Sequence, residues 1–148
     1  MESQFSLAGR PKTAKILIAR RNGNSFHRDP ESATILQQIN TNALSYAPTT
    51  SSSEHEIFFT RLGPHGPSIY TASRATPAAP FGERKKIHAI TGFAEAPTLS
   101  SDEQSLYYHK KENGRFVLYR VTPTVTRLGT SCRLEPARHD RCPANTAR

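Results

Sequence analysis

No run of about 18 apolar residues occurs in this chain, which excludes a membrane-spanning helix. Its start, Met1-Glu2-Ser3-Gln4, has neither a basic n-region nor an apolar h-region, so no signal peptide and no membrane insertion are expected. No G-x-S-x-G elbow occurs, and no Gly-rich phosphate loop of the P-loop or dinucleotide type. Apolar residues make up only 35% of the 148, and eleven prolines and eight glycines interrupt every stretch before a long helix could form. Two cysteines, Cys132 and Cys142, both lie near the C-terminus. They could pair in an oxidising compartment or stay free in the cytosol, and with His139 they form a C-x6-H-x2-C string. That string lacks a fourth ligand and the spacing of a zinc site, so no metal is expected there.

Positive charge is plentiful, at a formal net +8. Its distribution speaks against nucleic acid as the partner. Residues 1–30 hold six Arg/Lys against two acids and residues 124–148 hold five against two, while 31–123 hold nine against eight. Nucleic-acid binders cluster their charge on one face with aromatics for stacking. Here the excess sits at the two ends.

The middle of the chain repeats. Shifted by 49, residues 44–73 fall on 93–122 without a gap, and seven of the thirty positions are identical: Ala47/Ala96, Pro48/Pro97, Thr49/Thr98, Ser51/Ser100, Ser52/Ser101, Glu54/Glu103 and Tyr70/Tyr119. Apolar positions are kept as Ile57/Leu106, Phe58/Tyr107, Phe59/Tyr108 and Ile69/Leu118, and a cation as Arg61/Lys110. A weaker copy precedes them. With a shift of 53, residues 5–21 fall on 58–74 with five identities, which places 15–21 on a strand equivalent to 68–74.

Each unit reads as a meander of short strands. Residues 47–51 and 96–100 are extended and opened by a proline. Ser52-Ser53-Glu54-His55 and Ser101-Asp102-Glu103-Gln104 are polar turns, with Asp102 suited to bond backbone N–H groups two residues on. Residues 56–61 and 105–110 form second strands. Gly63-Pro64-His65-Gly66-Pro67 and Glu112-Asn113-Gly114 are hairpin loops, and 68–73 and 116–121 third strands. A fourth strand is expected at 84–90, with 34–39 as its counterpart one unit earlier. The doublets Phe58-Phe59 and Tyr107-Tyr108 put a large ring on each face of their strand. A sheet with one wet face alternates apolar and polar residues, so both faces must be covered. Units of 40–50 residues stacked face to face are propeller blades, with a two-sheet sandwich as the competing architecture.

The run Glu95-Ala96-Pro97-Thr98-Leu99-Ser100-Ser101-Asp102-Glu103-Gln104-Ser105-Leu106-Tyr107-Tyr108 resembles the WD40-like propeller repeat of the TolB type. That repeat runs A-P-x-x-S-x-D-G, an apolar-aromatic strand, a Gly-containing hairpin and I-Y-x-x-x-R. Glu103 stands where the pattern has glycine, and Ser53 where it has aspartate. Ile69-Tyr70-Thr71-Ala72-Ser73-Arg74 and Pro80-Phe81-Gly82 are similar to the third strand and exit link of bacterial members. The resemblance implies a closed ring of six to eight blades, commonly in the cell envelope or outside the cell. It also implies a binding scaffold whose loops hold partners, or a gate in front of a serine peptidase domain. It carries over no catalytic residue.

The expectation is therefore an all-β chain, an incomplete β-propeller of four-stranded antiparallel blades. Residues 1–40 are a degenerate partial blade, 41–92 a full blade, 93–122 a partial blade, and 123–148 a disordered basic tail. No catalytic, cofactor-binding or metal residue is assigned and no cofactor is expected, so the chain is read as a non-enzyme. It would bind a protein or glycan, or self-associate through open blade edges. A truncated product, a diverged paralogue, a subunit completed by another and a decayed fragment without function remain as alternatives. Ser100-Ser101-Asp102 is a turn signature, His55, His65, His88 and His109 are surface residues without metal spacing, and Arg84-Lys85-Lys86 either meets an acidic partner or guards an edge strand.

Overall fold

The computed structural model describes residues 2–5, 11–124 and 133–136. The chain is all-β with antiparallel sheets. Among the described residues the strands are β1 (Glu2–Phe5), β2 (Pro11–Lys15), β3 (Ala19–Asn22), β4 (Ser25–Arg28), β5 (Leu44–Thr50), β6 (Glu56–Gly63), β7 (Gly66–Ser73), β8 (Lys85–Lys86), β9 (Ala94–Leu99), β10 (Leu106–Glu112), β11 (Arg115–Thr124) and β12 (Arg133–Pro136), with one short helix, α1 (Ser32–Ile35). Two four-stranded sheets run in sequence order, β5-β6-β7-β8 and β9-β10-β11-β12, after two hairpins, β1-β2 and β3-β4. The described residues form no closed ring.

The two four-stranded sheets agree in local detail at positions 49 apart. Both sheets break register at the Ala-Pro pair, where Ala47-Pro48 and Ala96-Pro97 bulge out of the ladder. Proline has no N–H to give the partner strand, which makes a bulge its natural place within a sheet. The alanine before it turns to positive φ in both copies, 47° and 55°. The next turns match as well: Glu54 and Glu103 both sit at φ 59°, Ser51 and Ser100 donate their N–H to the carbonyls of Glu56 and Ser105, and their hydroxyls accept the N–H of the same two residues. The strands start earlier than expected, at Leu44 and Ala94, because the proline marks the bulge and not the strand's first residue.

Pairing fixes which side chains share a face. Ile57 faces Ala72 and Phe59 faces Tyr70 on one side of the β5–β8 sheet, while Phe58 faces Thr71 and Thr60 faces Ile69 on the other. The first side packs with Ile16, Ile35, Leu36, Ile39 and Phe81. The second packs with Ile87, Ile90, Ala94, Leu106, Tyr108 and Val121. Burying an aromatic such as Phe59, which has no exposed surface, stabilises by about 1.5–3 kcal/mol.

Three expectations are corrected. Residues 15–21 do not form one strand: β2 ends at Lys15 and β3 begins at Ala19. Between them the N–H of Ile16 donates to Asn40 Oδ1 and that of Ile18 to Ser32 Oγ, so side chains replace the ladder. Residues 34–39 are not a strand but the end of α1 and a turn, because Ile35, Leu36 and Ile39 bury one side at a helical spacing and not a period of two. Of 84–90 only Lys85–Lys86 is strand; Ile87 N–H still donates to Ile69 O, after which the chain turns at Ile87–Ile90.

The C-terminal stretch supplies a strand as well. β12 pairs with β11 at residues 133–136, where a 49-residue period carries 85–86 onto 134–135, so the 93–122 unit gains a fourth strand from the tail. The rest of that tail, with Cys132, His139, Cys142, Arg138 and Arg141, lies outside the described residues. Among the described residues no helix is long and apolar enough to cross a membrane.

Candidate functional site

Between the two four-stranded sheets lies a cleft of about 480 Å³, within the range of ligand pockets. Its walls are apolar: Phe58, Ile87, Leu99, Leu106, Val121 and Pro123. Lys85, Lys86 and His88 border it on one sheet, and Glu56 and Glu103 complete the rim. At the preceding interface Phe81 enters the core, beside a further opening lined by Gln37, Gln38, Thr41, Pro80 and Arg84. Phe81 is buried against Ile35 and Ile57, its N–H donates to Ile35 O, and the Arg74 guanidinium lies 4.4 Å from its ring centre.

The inner strands of the two sheets are tied by polar contacts. Tyr46 donates its hydroxyl to Glu95 Oε2 at 2.9 Å, and burial, then that carboxylate, push the phenol well above its ordinary range. Ala96, whose N–H leaves the ladder at the bulge, donates to Thr60 Oγ1 at 2.9 Å. The Glu103 carboxylate accepts the Ser52 N–H, and this bond holds its pKa below the usual value.

The Ser-Asp pair at 100–102 is occupied with its own turn. Ser100 Oγ donates to Asp102 Oδ1 at 2.6 Å, Gln104 N–H donates to the same oxygen at 3.0 Å, and the two bonds lower the Asp102 pKa. Among the described residues no histidine takes part in that network. The named histidines stay apart: His55 follows the first turn, His65 sits in the β6–β7 hairpin, His88 lies at the cleft and His109 on β10. Among the described residues no three His, Cys, Asp or Glu side chains converge as metal ligands would. Lys85 and Lys86 form the outermost strand of their sheet, and Arg84 Nη1 donates to Gln38 O at 2.9 Å.

A second surface lies on the last unit, where the doublet Tyr107-Tyr108 calls for cover on both faces and one is open. The side of β10 and β11 that faces away from the cleft carries Tyr107, His109, Lys111, Phe116, Leu118 and Arg120. Phe116 is 53% exposed and Leu118 63%, although Ile69, the equivalent of Leu118, is 1% exposed. The signal was present in the alternation of 106–112 and 115–120, once the two copies are laid side by side. Phe93 and Phe116 meet edge to face at 5.9 Å, and Lys111 Nζ lies 5.7 Å from the Phe93 ring centre.

No protein-family model matches the chain, and no curated protein or solved structure is similar to it.

Proposed function

We propose that the chain is a non-catalytic binding module built from WD40-like propeller repeats of the TolB type, acting as a scaffold for a protein or glycan in the cell envelope or outside the cell. The observation that carries this reading is the agreement of the two copies in bulge, turn and hydrogen bonds at positions 49 apart. In blade terms, β5–β8 and β9–β12 are successive four-stranded blades and the segment before them an earlier, degenerate one. Stacking of this kind leaves loops and outer faces as the places for recognition. The tied-up Ser100 and Asp102 and the scattered histidines support a role without chemistry.

The test sets binding against turnover. The purified chain is screened on an array of glycans and immobilised proteins, and in parallel against ester and peptide substrates. Saturable binding without turnover is expected. Hydrolysis that co-purifies with the chain and is lost in a Ser100→Ala variant would overturn the reading.

A further inference from the structure

Two copies of one repeat use the same face differently. On β6 and β7 that face is Phe58, Thr60, Leu62, Pro67, Ile69 and Thr71, neutral throughout, with none of the six exposed. The next sheet covers it with Ala94, Leu106, Tyr108 and Val121. On β10 and β11 the same positions, 49 residues on, hold Tyr107, His109, Lys111, Phe116, Leu118 and Arg120. The apolar middle is kept, but three neutral residues, Thr60, Leu62 and Thr71, have become His109, Lys111 and Arg120. Among the described residues none of these three is in an ion pair. Glu95 stands opposite His109 in the ladder, and its carboxylate is engaged by the Tyr46 hydroxyl.

We infer that this face docks a polypeptide surface that is both apolar and acidic, with carboxylates meeting His109, Lys111 and Arg120 around an apolar contact on Phe116 and Leu118. The inference rests on the binding-module reading and names its partner's chemistry. The repeat itself shows that the position takes a packed sheet, since one copy earlier it is covered within this chain. The cations decide what kind. A neutral cover like the one over Ile69 would bury them without partners, which costs far more than the apolar contact returns. A second copy of this face would set Lys111 and Arg120 against their own copies. A nucleic acid would satisfy the cations, but its phosphates would lie over Leu118, and Phe116 already has ring contacts with Phe93 and His109. Carboxylates on an apolar strand answer both demands.

The full chain, isotopically labelled, is titrated with three probes: a peptide of about eight residues alternating glutamate with leucine and phenylalanine, its lysine counterpart, and an oligouridylate of similar length. The acidic peptide should bind and shift the amide signals of residues 107, 109, 116, 118 and 120. Raised salt should weaken it. Arg120→Glu should weaken it by about tenfold or more, and Leu118→Ser by several-fold, with the melting temperature of each variant unchanged because both sites are exposed. Equal binding of the lysine peptide, preference for the oligouridylate, shifts confined to other surfaces, or no binding would each overturn the inference. None of these outcomes touches the module reading, which falls only to turnover.

Discussion

The hydroxyl of Tyr46 donates to Glu95 Oε2 at 2.9 Å, and the two residues stand 49 apart, at the same position in successive copies. One copy thus supplies the donor and the next the acceptor, and the bond stitches two neighbouring sheets at their inner strands. Because the pair is only partly buried, Tyr46→Phe should cost about 1 kcal/mol, read as a shift in urea midpoint.

The same bond sets a response to alkali. Burial and Glu95 raise the Tyr46 pKa in the folded chain. Its contribution is therefore fully present below the unfolded value of about 10 and is lost as pH rises beyond it. Stability should be flat from about pH 8 to 10 on this account and fall above, with a shallower fall in Tyr46→Phe. Tyr108 and Tyr119 are raised too, so the slope shrinks in the variant and does not vanish. An unchanged slope would show that the shared proton is not the cause.

Thr60 performs a task that its equivalent does not. It is fully buried and accepts the Ala96 N–H that the bulge releases. Thr60→Val keeps the shape and removes the acceptor, which should cost about 1–3 kcal/mol. His109→Val, at the matching place in the later copy, should cost under about 0.5 kcal/mol, since that side chain is exposed.

Glu54 and Glu103 occupy a backbone conformation that favours glycine, and the resembled repeat has glycine there. Glu54→Gly loses the 3.4 Å contact of its exposed carboxylate with the Arg74 guanidinium, a side chain only 5% exposed, while Arg74 Nε keeps its bond to the carbonyl of residue 54. Relief of the positive φ should still leave the variant more stable, by less than about 1 kcal/mol. Glu103→Gly also loses the carboxylate that accepts the Ser52 N–H between the two sheets, and should gain little or nothing. Thermal melts of the two variants distinguish relief of strain from loss of the contact.

The middle of the fold was legible because its signals are local and doubled. Proline, the Ser-x-x-Glu turn and the paired aromatics each recur at 49 and carry fixed consequences for bulge, φ and face. The edges were not legible, for a physical reason. Residues 34–39 turn on local bonds and are tied in by Phe81 N–H to Ile35 O, and 84–90 stays on the ladder only through Lys85–Lys86 and Ile87 N–H to Ile69 O, a pattern that leaves no periodicity. The cleft was hidden likewise, since it depends on how two sheets meet, which no local pattern records. The exposed cationic face was written in the alternation of β10 and β11, but only the burial of Ile69 reveals that Leu118 is out of place.

Ile69 and Leu118 give the sharpest test of the stacked arrangement, since they are the same repeat position in two environments. Ile69 is 1% exposed, packed with Ile87, Ala94 and Leu106 under the following sheet. Ile69→Ala removes buried methylenes and leaves a cavity, and should cost about 2–5 kcal/mol. Leu118 is 63% exposed, and Leu118→Ala should change stability by under about 0.5 kcal/mol. Urea unfolding at matched conditions measures both. Similar losses at the two positions would mean that Leu118 is covered in solution, by self-association or by the chain itself. Dilution separates those cases: a loss that fades at low concentration belongs to a second copy, and one that persists belongs to the folded monomer.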